Sequence, residues 1–172
     1  LQLLDEELAK TNRLLKEKLG WKSAVLRGPG GYQDGLINHP AQQEIILKNG
    51  FQWVSCKCDA TLSSKGYRYA VEASSRDTPF AYPSGLIEIP FQGFTDRQYF
   101  EGYKNISPSA YNQWRTLRGG GAVPKGWQAP WTAPDALETW IAYNLEALDF
   151  AHEHRALWVP VWDPRSHYLH DP

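Results

Sequence analysis

Apolar residues recur at helical spacing through the first nineteen positions. Leu1, Leu4, Leu8, Leu15 and Leu19 are separated by charged residues, and Gly20 follows as a stop. The pattern predicts one amphipathic helix with a single buried face. About two and a half heptads with Thr11 on the stripe are too few to favour a coiled coil. After Trp21 the run "SAVL" reads as a short strand that enters the loop "RGPGG". Asn38 or His39 can then cap a helix with Pro40 in its first turn and Ala41, Ile45, Ile46 and Leu47 as apolar positions, closed by Asn49 and Gly50. "FQWVS", 51–55, follows as a strand. Helix, strand, helix, strand with short joints is the order of a parallel α/β unit, compatible with a doubly wound sheet or a barrel.

Beyond residue 58 the periodicity dissolves. Residues 59–84 read as a long loop rich in Ser, Gly, Tyr and Pro, the kind of connection that is functional or disordered when it occurs. "GLIEIPF", 85–91, restores a strand, and 105–131 form a second irregular stretch rich in Trp and Gly. Thr132 with Asp135 resembles a capping box that opens a long helix, with Leu137, Trp140, Ile141, Leu145 and Leu148 expected on its buried face. His152, His154 and Arg155 close this helix as cations suited to its dipole, and "ALWVPVW", 156–162, is the last expected strand.

Composition narrows the class. A chain of 172 residues suits one domain. Net charge is −1 and the basic residues are scattered, which argues against a nucleic-acid partner. No apolar run is long enough to span a membrane, so no membrane partner is expected. Cys56 and Cys58 stand too close in sequence for an unstrained disulfide. On one face of a strand they could join His152 and His154 in a tetrahedral zinc site, although the spacing matches no known zinc module. The chain holds no methionine and begins inside an amphipathic pattern, which reads as a piece of something longer. Eight Trp and nine Tyr exceed ordinary use; most fill cores, and the surplus adds some weight to a carbohydrate ligand.

The candidate chemistry begins at Arg27. A guanidinium at a strand end, followed by a backbone freed of side chains, makes one wall of a binding site. It is always charged and can grip a carboxylate with two parallel bonds. Pro29, Gly30, Gly31 and Tyr32 would continue the wall, the glycines letting main chain approach a substrate. Asp96, in "GFTDRQYF", could bind sugar hydroxyls or orient a histidine, as could Asp59 with less support.

Taken in order, "LRGPGGY", "ILKNGFQWVS", "YPSGLIEIPFQGFTDRQYF" and "LWVPVWDP" resemble the C-terminal part of the polysaccharide deacetylase domain, carbohydrate esterase family four, nearest its peptidoglycan deacetylase and allantoinase-like branch. The resemblance runs through nearly the whole chain. It implies an α/β fold, the C-terminal part of a deformed β/α barrel with parallel strands and long irregular loops, in a single domain 1–172 that lacks its N-terminal metal-binding segment. It implies metal-dependent hydrolysis of a non-peptide carbon–nitrogen bond, most simply N-deacetylation of an amino sugar in a polysaccharide. The rivals are ureide hydrolysis on the same scaffold and a glycan-binding module without catalysis. The implied cofactor is a divalent metal, zinc first, whose Asp and His ligands are not found in this chain. In the family the arginine matching Arg27 holds the carboxylate base, and Asp96 falls within a matched motif. Asp163 stands where the family presents an acid histidine; His170, with His167 close by, could supply the imidazole instead. The expected partners are a carbohydrate or small amide substrate, with a homo-oligomer and an upstream segment left open.

Overall fold

The structure, a computed structural model, describes residues 1–59, 62–96, 99 and 136–162. Contacts divide the chain into two compact units, the first made of Leu1–Cys58 and Thr78–Phe91, the second of Asp59–Asp77 and Gln92–Pro172.

In the first unit the expected order holds. Helix α1 spans Gln2–Leu19 and ends at Gly20, whose φ of 78° is the left-handed conformation that a C-terminal glycine adopts at little cost. Its buried face is narrower than the leucine stripe: Leu8 is buried, Leu4 and Leu15 are half-buried, and Leu1 and Leu19 are exposed. Asn12, one turn after Leu8, is buried instead of a leucine. Its amide donates to the Asn49 carbonyl at 2.8 Å and its oxygen accepts the Ser23 N–H at 3.1 Å, so burial leaves it satisfied. Strand β1 (Val25–Tyr32) leads to α2 (Pro40–Lys48), capped by His39 without a side-chain bond, and then to β2 (Trp53–Lys57).

Strands β1 and β2 are parallel, with Val25, Leu26 and Arg27 opposite Trp53, Val54 and Ser55. The loop expected at "GPGG" is a correction, because β1 continues through it to Tyr32. From Arg27 to Tyr32 the chain takes five steps while its partner takes two, Ser55 to Lys57, so the glycine-rich segment is a wide irregularity in the ladder. Pro29 carries no N–H to donate, which favours such an excursion on an edge strand.

Strand β4 (Ile87–Glu88) lies parallel to β2 on its other side, and β3 (Phe80–Ala81) pairs antiparallel with β4 through a tight turn in which Gly85 has φ 89°. The sheet order is β1-β2-β4-β3. Among the described residues this is an open, mostly parallel sheet and not a closed barrel. The core of the unit gathers Leu8, Ile46, Phe51, Val54, Cys56, Tyr82 and Leu86. Each of these side chains contributes on the order of 1.5–3 kcal/mol when it is large and fully buried.

The second unit corrects two expectations. Residues 59–84 are not one long loop: they hold α3 (Leu62–Lys65), α4 (Tyr67–Val71) and a 3-10 turn (Glu72–Ser75) before β3. Helix α5 (Ala136–Glu153) is long, as expected, but it buries a different face. Trp140, Tyr143, Ala147 and Ala151 are buried, whereas Ile141, Leu145 and Leu148 are about half exposed, at 48%, 55% and 50%. Tyr143 decides this, because its hydroxyl accepts the Phe94 N–H at 2.8 Å and its ring sits among Tyr67, Phe94, Tyr99 and Trp140. The capping box at Thr132 and Asp135, the position of Leu137's side chain and the irregular stretch 105–131 lie outside what is described. The expected strand 156–162 forms no regular ladder. Gln92 N–H donates to the Val159 carbonyl and Asp96 N–H to that of Val161, while the Gln92 side chain accepts the Val159 N–H. Pro160, between them, has no donor to offer.

Candidate functional site

In open parallel sheets, binding sites form beyond the carboxyl ends of the strands. Arg27 stands before that end, within the strand: it is the third of the eight residues of β1 and lies beside Ser55, the third of five in β2, in register across the ladder. Nη1 of Arg27 donates to Ser55 Oγ at 2.8 Å, and the guanidinium lies 4.0 Å over the ring of Phe91. Phe91 follows the "EIP" segment and is held beside β2 by its N–H, which donates to the Lys57 carbonyl at 3.1 Å. Arg27 remains exposed, yet partial burial lowers its pKa, opposed by the nearby Cys56, Cys58 and Glu88.

Gly31 explains why the wall must be glycine at one point. A Cβ there would run into the Phe91 ring and would meet Cys58 Sγ at 2.7 Å. The absence of a side chain thus lets the β1 backbone close onto the aromatic ring that carries Arg27. Tyr32 ends the strand, exposed, with its carbonyl accepting the Cys58 N–H at 3.0 Å.

On the opposite face of the sheet Glu88 is fully buried. Its Oε1 accepts the N–H groups of Cys56 and Lys57, each at 2.8 Å. Its Oε2 accepts the Tyr82 hydroxyl at 2.7 Å and the Cys56 thiol at 3.3 Å. The Tyr82 oxygen in turn accepts the Leu36 N–H at 2.8 Å, so one carboxyl group ties β2, the residue just after β3 and the turn after β1 together. Gly35 lies against this network with φ 55°; a Cβ there would collide with the Tyr82 hydroxyl. Burial, reinforced by Glu88, pushes the Cys56 thiol up to about 12, and burial raises Tyr82 as well.

Glu88 was legible only as part of a strand. A glutamate centred in "LIEIP" must find partners when that strand is buried, and this is the signal that could have marked it.

The expected site residues are distributed unevenly. Arg27 and Gly31 both lie against Phe91, Tyr32 ends the strand, and Pro29 and Gly30 belong to the same strand. Arg27 makes no ion pair with a carboxylate among the described residues; its bonded partner is Ser55. Asp96 is buried in the second unit, its N–H on the Val161 carbonyl at 3.3 Å, and Asp59 pairs with Lys65 at 2.8 Å. Asp163, His167 and His170 lie outside the described residues. Among the described residues no three His, Cys, Asp or Glu side chains gather around a metal position; Cys56 and Cys58 belong to the first unit, His152 and His154 to the second. His154 instead stacks on Phe150, its Nδ1 within 2.8 Å of the Phe150 carbonyl.

Compared with protein-family models, curated proteins and solved structures, the chain finds no match.

Proposed function

We propose that this chain supplies one wall of an amide-hydrolysing site for an N-acetylated amino sugar, as the C-terminal part of a polysaccharide deacetylase-like β/α barrel. The observation that carries the reading is the convergence of two motifs distant in sequence. Arg27, from "LRGPGGY", rests on Phe91, from "LIEIPF", beside the parallel pair β1 and β2.

In this reading Ser55 and Phe91 fix the guanidinium, which orients a carboxylate or a carbonyl oxygen of the substrate. The backbone of 28–31, thinned of side chains, admits the acetamide and offers N–H groups to the oxygen that gains charge. A divalent metal belongs to the family expectation, where it activates water for attack on the carbonyl. The described residues do not fit one, so any such ion would be held by other groups.

The test is acetate release from N-acetylglucosamine oligomers by the full chain, within the longer protein if it is part of one. Release that falls at least about a hundredfold in Arg27→Ala supports the reading. Turnover of a cyclic ureide instead would overturn the substrate, and saturable oligomer binding without release would overturn the catalysis.

A further inference from the structure

A concave surface lies in the first unit, and Arg27 is not part of its lining. The cleft, about 570 Å³, runs between the C-terminal half of α1 and the end of α2, with Asn12, Arg13, Lys16, Glu17, Lys22 and Lys48 in its lining. Its volume falls in the range of small-molecule sites. Four cations face one anion in this lining, in a chain whose net charge is −1.

Not all four are available. Lys16 Nζ donates to the Gly20 carbonyl at 3.0 Å, which serves the end of α1, and Lys48 pairs with Asp5 at 2.5 Å. The helix-end reading of basic residues accounts for these two. It leaves Arg13 and Lys22, both exposed and neither holding an ion pair or hydrogen bond among the described residues. The floor is rigid, because Asn12 is buried and bonded at both ends, to Asn49 and to Ser23. With Lys48 offset by Asp5, the lining keeps three cations, Arg13, Lys16 and Lys22, against Glu17, a surplus of two positive charges.

We propose that this cleft binds a small, multiply charged oxyanion, with Arg13 gripping it bidentately and Lys22 as a point charge. A planar guanidinium matches carboxylate and phosphate oxygens equally, and a concave wall of one sign concentrates such ligands. The site is independent of the reading of Arg27.

The experiment is calorimetric titration of the full chain at low salt with inorganic pyrophosphate and, separately, citrate. The expected result is saturable one-to-one binding of at least one of them, weakened at least about tenfold in Arg13→Gln/Lys22→Gln. The control Lys10→Gln/Lys18→Gln removes the same charge from α1 outside the cleft and should change affinity less than about twofold. Preference for pyrophosphate identifies a phosphate ester as the natural chemistry, and preference for citrate a polycarboxylate. No saturable binding, or equal losses in the two double variants, would overturn the site.

Discussion

Replacing Tyr82 by Phe removes one oxygen and leaves one buried and one half-buried group short of a partner. Glu88 Oε2 loses a donor at 2.7 Å, and the Leu36 N–H loses its acceptor at 2.8 Å. A bond to a charged group contributes about 1.5–3 kcal/mol and a neutral one about 0.5–1.5, so the loss should be about 2–4 kcal/mol. Glu88 retains its bonds to Cys56 and Lys57, which keeps the value below that of a stranded carboxylate. Because the chain has two units, one global transition can blur the effect, and amide hydrogen exchange in the first unit is the sharper assay. Protection of the Leu36 amide should fall at least about thirtyfold, the equivalent of about 2 kcal/mol. Tyr32→Phe, at an exposed tyrosine, should stay within about 0.5 kcal/mol of the parent. Unchanged Leu36 protection in Tyr82→Phe would refute the view that Glu88 and Tyr82 hold the turn.

The raised thiol of Cys56 makes a pH prediction. Its folded pKa, pushed up to about 12, exceeds the unfolded value of 9.0, so above pH 9 the unfolded chain releases a proton that the folded one keeps. Stability should be full below pH 9 and fall towards pH 12 by at most about 1.4 kcal/mol per unit, and denaturant titrations across that range should show a shallower fall in Cys56→Ala. On α5, Leu145→Ala should be close to neutral in urea unfolding, whereas Tyr143→Phe should cost about 1–3 kcal/mol by leaving the buried Phe94 N–H without its acceptor.

Local periodicity made the first unit readable. The leucines before Gly20, the apolar positions after Pro40 and the run "FQWVS" announced α1, α2 and β2, and the short joints announced parallel pairing of β1 with β2. What was hidden depended on partners distant in the chain. The "GPGG" segment looks like a free loop until Lys57 and Phe91 are beside it. The short helices within 62–75 have too few turns to show a 3.6-residue period, and their Ser and Gly content reads as loop. The buried face of α5 is built on Trp140, Tyr143, Ala147 and Ala151, so the expected stripe was right at Trp140 but followed the larger aliphatic residues Ile141, Leu145 and Leu148 onto the exposed side. In the candidate site Arg27 was legible from its place before the glycines. Ser55 and Phe91 as its supports were not, because register and a cation over a ring are tertiary facts.

Acetate release from N-acetylglucosamine oligomers, compared between the parent protein and Arg27→Ala, tests the functional claim most directly. Removing the guanidinium costs the Ser55 bond and the contact with Phe91, a modest loss of about 1–3 kcal/mol for an exposed residue, so the variant should stay folded by circular dichroism. The account predicts measurable release by the parent and a loss of at least about a hundredfold in the folded variant. Equal release by the two proteins would contradict it.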